Sequence, residues 1–419
     1  MEDINKLICA SSLFILYYSM IARYVRNHLH LPDPFVTLLF GILIGHHFLD
    51  VLNTHYVYSK IIVLNFSRIV LCLQTMAISL KVSKDYLKKN RKVLFNLIVI
   101  GGIIKCFFCY ILIYITTTFD SATSWALSTA LTPTDPILSS SIVSGDFAKQ
   151  NVPEFLRNLL NAESGLNDGI GIVLLNISLE IILKQNQSKN RFLPSKLTII
   201  RFLINTIFIK VILSFTVGMM LGKLTKKVSK FCYKHQFLNS DILLIQSFAL
   251  TFLGLSLMSI IDGSELICIF FSGIYLNEDG WYTQEQSNNK ISDVIENSFF
   301  TALFVFFGSR IDFSRFTKRM VIIIFSVILI RIITILMIYK SLLNTPTFKT
   351  NFTDAIFIGF FGPIGVGAIY YSLLYDLKVD TLTVDYAICS VFISVILHGL
   401  AVPFYVTIKS YLNKIESLI

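Results

Sequence analysis

The run Asn161-Ala162-Glu163-Ser164-Gly165-Leu166-Asn167-Asp168-Gly169 sets two carboxyl groups, a hydroxyl and an amide inside an apolar stretch covering 158–183. On a helix Ser164 and Asp168 are one turn apart and share a face. Glu163 and Asn167 form a second row about 100° away. Gly165 and Gly169 form a third row, thin enough for another backbone to approach. Holding an acid at mid-membrane costs ~2.5–3.5 kcal/mol on insertion scales, so such acids are expected to have a function. One buried carboxylate can hold a proton or a metal ion, but not comfortably both, which makes Asp168 the candidate carrier. Glu163 points elsewhere and needs a fixed counter-charge. Arg331, alone in the apolar run Val321 to Met337, is the expected partner, and removing either member would strand the other.

A second set of groups lies in Leu131-Thr132-Pro133-Thr134-Asp135-Pro136. Pro133 has no N–H for the carbonyl of Thr129, and Pro136 has none for the carbonyl of Thr132. In hydrocarbon those oxygens need other partners, and a dehydrated alkali cation is the expected one. Thr134 adds a hydroxyl. Asp135 adds a negative charge, which also offsets the positive end of the half-helix that follows. Asp168, Asp135 and Ser164 are the candidate metal-binding residues for such a transported alkali cation, with Thr132 and Thr134 nearby. A matching interruption occurs at Gly359-Phe360-Phe361-Gly362-Pro363-Ile364-Gly365-Val366-Gly367, where Gly362, Pro363 and Gly365 break the helix.

These groups must be positioned by the apolar segments that carry them. Thirteen such stretches recur, at 7–22, 34–49, 61–80, 93–117, 121–143, 158–183, 202–222, 241–261, 264–277, 297–309, 320–339, 354–375 and 384–408. The two interrupted spans are seven apart and so cross in opposite directions. That is the pattern of an inverted-repeat transporter with its site at the midplane. The expected fold class is an all-α polytopic membrane protein forming one transmembrane domain over 1–419, with no soluble tail domain.

Composition excludes most other classes. Charged residues are 15% of 419 and hydrophobic residues 54%, with 36 Phe and a mean hydropathy of +0.69, against about 25% charged in soluble domains. The net charge of +10 sits in short runs between apolar stretches, such as Lys81 to Lys92 and Lys223 to Lys234. It marks loops retained in the cytoplasm, not a nucleic-acid surface. The resulting orientation is N-terminus outside and C-terminus cytoplasmic, although the basic loop 184–201 falls outside with its Asn186-Gln187-Ser188 sequon. No cleavable signal peptide is evident. The seven cysteines form no metal pattern, and Cys106 and Cys109 read as packing residues. Among other polar residues, Arg68, Gln74 and Lys105 read as snorkelling or locally paired, and Asp262 and Glu265 as interfacial. His46-His47 reads as a solvated pair and His398 as a packing residue.

At the two motifs the chain resembles the monovalent cation–proton antiporters of the NhaP and NHE-like branch, and among them the fungal plasma-membrane Na⁺/H⁺ antiporters. Leu131 to Leu138 with Val143-Ser144-Gly145 resembles the broken-helix signature, and Val152 to Gly169 the ion-binding helix. Phe361 to Ile369 is similar to the second crossing helix, and Gly280-Trp281 and His398-Gly399 also fit. The resemblance covers nearly the whole chain and implies an NhaA-like antiporter fold. It implies a moving core at about 93–183 and 320–408, and a scaffold at about 7–80 and 202–309 that pairs into a homodimer. It further implies that Asp168 binds the ion with help from Ser164, Asp135 and the Thr134 region. Asn167-Asp168 would match the Asn-Asp pair of the mostly electroneutral branch, and Glu163–Arg331 the structural ion pair.

Two departures stand out. The relatives carry Gly-x-Glu where this chain has Ser79-Leu80-Lys81, and they carry a long cytoplasmic tail, so tail-dependent regulation is expected to be missing or supplied by another protein. The functional expectation is exchange of Na⁺, with Li⁺ and K⁺ as further substrates, for H⁺ across the plasma membrane. No cofactor and no enzymatic activity are expected. A passive cation channel and an intramembrane aspartyl hydrolase using Asp135 and Asp168 are the alternatives. Currents without obligatory proton movement would mark the first, and the second lacks paired catalytic motifs.

Overall fold

Proline, glycine and capping side chains set where the helices start and stop. Pro34 lies in the first turn of its helix, where its missing N–H costs nothing. Asp120 accepts the N–H of Thr123, and Thr317 that of Met320, each satisfying a donor left over at a helix start. Asn351 and Asp354 form a reciprocal capping box. The computed structural model describes residues 2–51, 60–135, 138–139, 151–187, 200–286, 291–345, 348–379 and 382–416. Pro136, Val143 to Gly145 and most of the loop after Gln187, including Ser188 of the sequon, lie outside them.

Among the described residues the regular structure is helical apart from one isolated bridge between Thr345 and Phe348. The helices are α1 Glu2–Tyr24, α2 Asp33–Ile44, α3 Lys60–Lys81, α4 Lys84–Lys89, α5 Arg91–Phe95, α6 Gly102–Thr116 and α7 Ser121–Ala130. After the first break come α8 Glu154–Gln187, α9 Ser214–Lys234, α10 Ser240–Ile260, α11 Glu265–Leu276, α12 Trp281–Gln286 and α13 Ile291–Ser309. The last are α14 Lys318–Ile338, α15 Phe352–Phe360, α16 Val366–Val379 and α17 Thr383–Glu416. Turns of wider π-helical winding lead into α6 at Asn96–Gly101 and into α9 at Leu203–Leu213. Among the described residues, six helical stretches are long and apolar enough to cross a membrane: Asn5–Leu29, Lys60–Lys81, Arg91–Thr116, Ile200–Lys234, Lys318–Leu343 and Thr383–Ala401. Four shorter apolar helices accompany them.

Small residues let the helices approach. Gly41 of α2 meets Gly308 of α13 backbone to backbone, and Gly218 and Gly222 of α9 lie against the backbone of Cys268 and Ser272 on α11. The third row on α8 differs from the sequence expectation. Gly165 receives the side chains of Phe270 and Ile78, and Gly169 that of Ile267, so the space admits α11 and α3 side chains and not another backbone. The opposite faces of α1 and α9 leave Leu16, Met20, Met220, Leu224 and Phe231 exposed, as lipid-facing surfaces do.

Both anticipated breaks are present. α7 stops at Ala130 and the chain is non-helical over 131–135. α15 stops at Phe360, and α16 starts at Val366.

Candidate functional site

The two interruptions face each other and are tied through backbone. The N–H of Asp135 donates to the carbonyl of Pro363 at 2.7 Å, leaving its own helix to do so. The Asp135 carboxylate then accepts the N–H of Leu138 (2.8 Å) on one oxygen and that of Val366 (3.2 Å) on the other. One buried side chain therefore serves the start of α16 as well as the turn after its own break. Negative charge there matches the positive ends of both segments. Gly365 is small because the Asp135 carboxylate fills the space a Cβ would take, and Gly362 because the Arg331 guanidinium does. Side chains of α17 satisfy the rest of the second break. Ser394 Oγ accepts the N–H of Ile364 (2.7 Å), and His398 Nε2 lies 2.8 Å from the carbonyl of Phe360.

The carbonyls of the first break have partners within the protein. Thr129 accepts the N–H of Thr132 at 3.1 Å, tightening the last turn of α7. Leu131 would accept from Asp135 in a continuous helix, and Thr132 from Pro136, which has no N–H. Lys105 Nζ donates to both, at 2.9 and 2.8 Å. The sequence pattern assigns such oxygens to a transported cation and Lys105 to snorkelling or local pairing. Instead Lys105 is 3% exposed and its ammonium occupies the break. Thr132 turns its hydroxyl hydrogen back to the carbonyl of Ser128 (2.8 Å).

α8 presents its rows to this crossing. Thr134 Oγ1 lies 3.2 Å from Ser164 Oγ and accepts from Asn167 Nδ2 at 2.7 Å. Thr134, Ser164 and Asn167 thus form one hydroxyl–amide cluster. Asp168, one turn from Ser164, is 2% exposed, and its Oδ2 has no hydrogen-bond partner among the described residues. Its backbone carbonyl is fixed by the Tyr371 hydroxyl at 2.6 Å. Gly367 keeps α16 close, since a Cβ there would come within 3.1 Å of Asp168 Oδ1. An unpartnered carboxylate oxygen in a dry site needs a proton or a cation to neutralise it.

Glu163 and Arg331 meet through Arg331 Nη2, at 2.9 and 3.1 Å from the two carboxylate oxygens, and the same nitrogen donates to the carbonyl of Ile358 at 3.1 Å. Beside the pair is a cavity of about 20 Å³ lined by Lys105, Thr132, Glu163, Asn167, Arg331 and Thr334 among others. Arg331 Nε, Thr334 Oγ1 and Asn167 Oδ1 have no partner among the described residues. That is space and polarity for a single water.

Sequence reasoning placed other groups wrongly or missed them. Glu265 is buried and not interfacial. It accepts from Arg68 Nε (2.8 Å) and from the Tyr370 hydroxyl (2.7 Å). Asp262 is exposed, as expected of a turn residue. His47 Nε2 accepts the N–H of Phe313 (3.2 Å) and lies 3.6 Å from Asp312, so that histidine is tied to a loop. Nothing in the sequence singles out Tyr370, Tyr371 or Ser394. Lys105 carries a signal, a lone charge in an apolar run, and of snorkelling and local pairing the structure shows the second, with the carbonyls of the break as its partners.

Comparison with known proteins points the same way. The chain matches the family described as sodium/hydrogen exchanger, transmembrane, over residues 11–408. It is 31% identical over 375 residues to a Na(+)/H(+) antiporter of Saccharomyces cerevisiae, covering 86% of this chain and 37% of that protein. It is 28% identical to Na(+)/H(+) antiporter 2 of Zygosaccharomyces rouxii, covering 86% and 45%. The chain therefore spans less than half the length of these relatives. The solved structure of the sodium proton antiporter MjNhaP1 from Methanocaldococcus jannaschii superimposes with a TM-score of 0.71 at 18% identity, covering 97% of both chains, which is a likeness of fold. These relatives are transporters and not enzymes. With a family match running nearly end to end, and the apolar helices and paired breaks that such a transporter needs, this multi-pass integral membrane protein belongs to the sodium/hydrogen exchanger family.

Proposed function

We infer that the chain exchanges Na⁺, with Li⁺ and K⁺ as further candidate substrates, for H⁺ by alternating access. The observation that carries this reading is the buried Asp168 carboxylate, whose Oδ2 has no protein partner, beside the Thr134–Ser164–Asn167 cluster. Asp168 alternates between a proton and the cation. Ser164, Thr134 and Asn167 supply neutral oxygens, and Asp135 supplies charge and holds the crossing together. Glu163 and Arg331 are the fixed structural pair. The curated relatives are named for this exchange, which supports the assignment of ions.

The architecture that fits is thirteen spans in inverted repeats. A core of about 93–183 and 320–408 moves against a scaffold of about 7–80 and 202–309, which pairs into a homodimer in the plasma membrane with the C-terminus cytoplasmic. The paired breaks of opposite sense and the positive loops support that arrangement. In proteoliposomes of the purified chain, a Na⁺ pulse is expected to dissipate an imposed pH gradient. Asp168→Asn, which can neither release a proton nor neutralise a cation, is expected to abolish that flux. Exchange persisting in the variant would falsify the carrier assignment, and sodium currents without proton movement would favour a channel.

A further inference from the structure

We propose that Lys105 is a resident cation of the transport site, one that fills the first helix break and limits the load to one monovalent cation per cycle. The inference rests on the exchanger reading above and deepens it. Three observations combine. First, the two carbonyls freed by the break, Leu131 and Thr132, both accept from the Lys105 ammonium, at 2.9 and 2.8 Å. Such a pair of oxygens at the negative end of α7 is a ligand set for any monovalent cation. Here the cation is tethered to α6 by its own side chain.

Second, the geometry has a counterpart in the other half. Arg331 lies on α14, the helix before the second broken span, and donates to the carbonyl of Ile358 near the end of α15. Each first half-helix therefore has a basic side chain from the preceding helix at its C-terminal end. The two differ in their partners. Arg331 pairs with Glu163, whereas Lys105 forms no ion pair among the described residues.

Third, the formal charges close only when Lys105 is counted. Among the described residues, Lys105 and Arg331 are the buried cations at the crossing, and Glu163, Asp135 and Asp168 the buried carboxylates. The sum is one negative charge when Asp168 is ionised. A single Na⁺ or a single H⁺ brings it to zero, so both loaded forms are neutral and each can be carried through a low-dielectric core. Without the lysine charge, a loaded site keeps one uncompensated carboxylate and two open carbonyls, and it recruits a second cation.

The test is the sodium dependence of exchange in proteoliposomes, with wild type, Lys105→Gln and Lys105→Arg compared, and thermal unfolding in detergent checking that each is folded. Glutamine still donates an N–H to the break but carries no charge, and arginine keeps the charge. The expected Hill coefficient is about 1 for wild type and for Lys105→Arg. For Lys105→Gln it is expected to rise above about 1.5, with half-saturating Na⁺ raised several-fold. A folded Lys105→Gln protein with the wild-type coefficient would show that only the hydrogen bonds matter and overturn the proposal. A wild-type coefficient near 2 overturns it whatever the yield of the variants. Absence of any Na⁺-driven proton flux in wild type would instead defeat the exchanger reading on which it rests.

Discussion

Asp168 differs from the other acids at the crossing in what surrounds it. Glu163 has a guanidinium and Asp135 has backbone N–H groups, so the oxygens of each are held by the protein. Asp168 has an oxygen without a partner among the described residues, which suits the proposed exchange of a proton for a cation. Under the proposed reading the Glu163–Arg331 pair fixes the arrangement of α8 and α14, since a buried pair need not add net stability. Glu163→Gln alone is expected to cost about 3–5 kcal/mol by stranding the guanidinium, read as a lower unfolding temperature in detergent. Glu163→Leu with Arg331→Met should recover most of that stability without recovering transport. The glycines of the second break answer to the same side chains. Gly365→Ala sets a methyl group into the Asp135 carboxylate and is expected to abolish exchange. Gly367→Ala meets Asp168 Oδ1 at 3.1 Å and is expected to weaken apparent Na⁺ affinity several-fold while the protein still folds.

Individual helices show how far sequence patterns reach. The i, i+4 rows on α8 form as written, because helical spacing is fixed by the backbone. Both breaks fall where proline and glycine place them. What the breaks touch was not legible, since Asp135–Pro363 and Lys105–Leu131 join groups far apart in the chain through a crossing that only packing creates. Outside the spans, Glu278 at the end of α11 is hydrogen-bonded by Lys84 of α4 and by Lys226 of α9 (3.0 Å), which holds its carboxyl below the usual range. A depressed carboxylate contributes stability at pH above its unfolded value, about 4.3, and loses it as pH falls through the folded value. The site is solvent-accessible, so the contribution is below about 1 kcal/mol per pair. Glu278→Gln is therefore expected to lower the unfolding temperature slightly at pH 7, by an amount that shrinks as pH falls below about 4.3 toward the lower folded value. High salt should erase the difference.

Across the whole molecule, the question is which contacts join the moving part to the fixed one under the proposed division. α3 and α11 fall in the scaffold and α16 in the core, and buried polar contacts run between them. Glu265 accepts from Tyr370 while paired with Arg68, and Lys60 pairs with the buried Asp376 at 2.7 Å. A core that shifts must break or carry these contacts. Tyr370→Phe is expected to destabilise the conformation seen here by about 1 kcal/mol. Hydrogen exchange along α16 should accelerate in that variant if α16 moves against α3 and α11, and should stay unchanged if the contact is merely internal to one body.

The sequence by itself determined that the chain lives in a membrane, where its helices break and that Asp135, Glu163 and Asp168 are buried, because each follows from local rules of hydropathy, proline geometry and helical periodicity. Only the tertiary structure decided which of those charges are already satisfied. The carbonyls that local rules leave open are filled by Lys105, and Asp135 serves a helix over two hundred residues away. Glu265 turns inward to meet Arg68 and Tyr370. Hydrogen-bond satisfaction in a dry interior is a property of what packs around a group, and sequence spacing alone does not encode it.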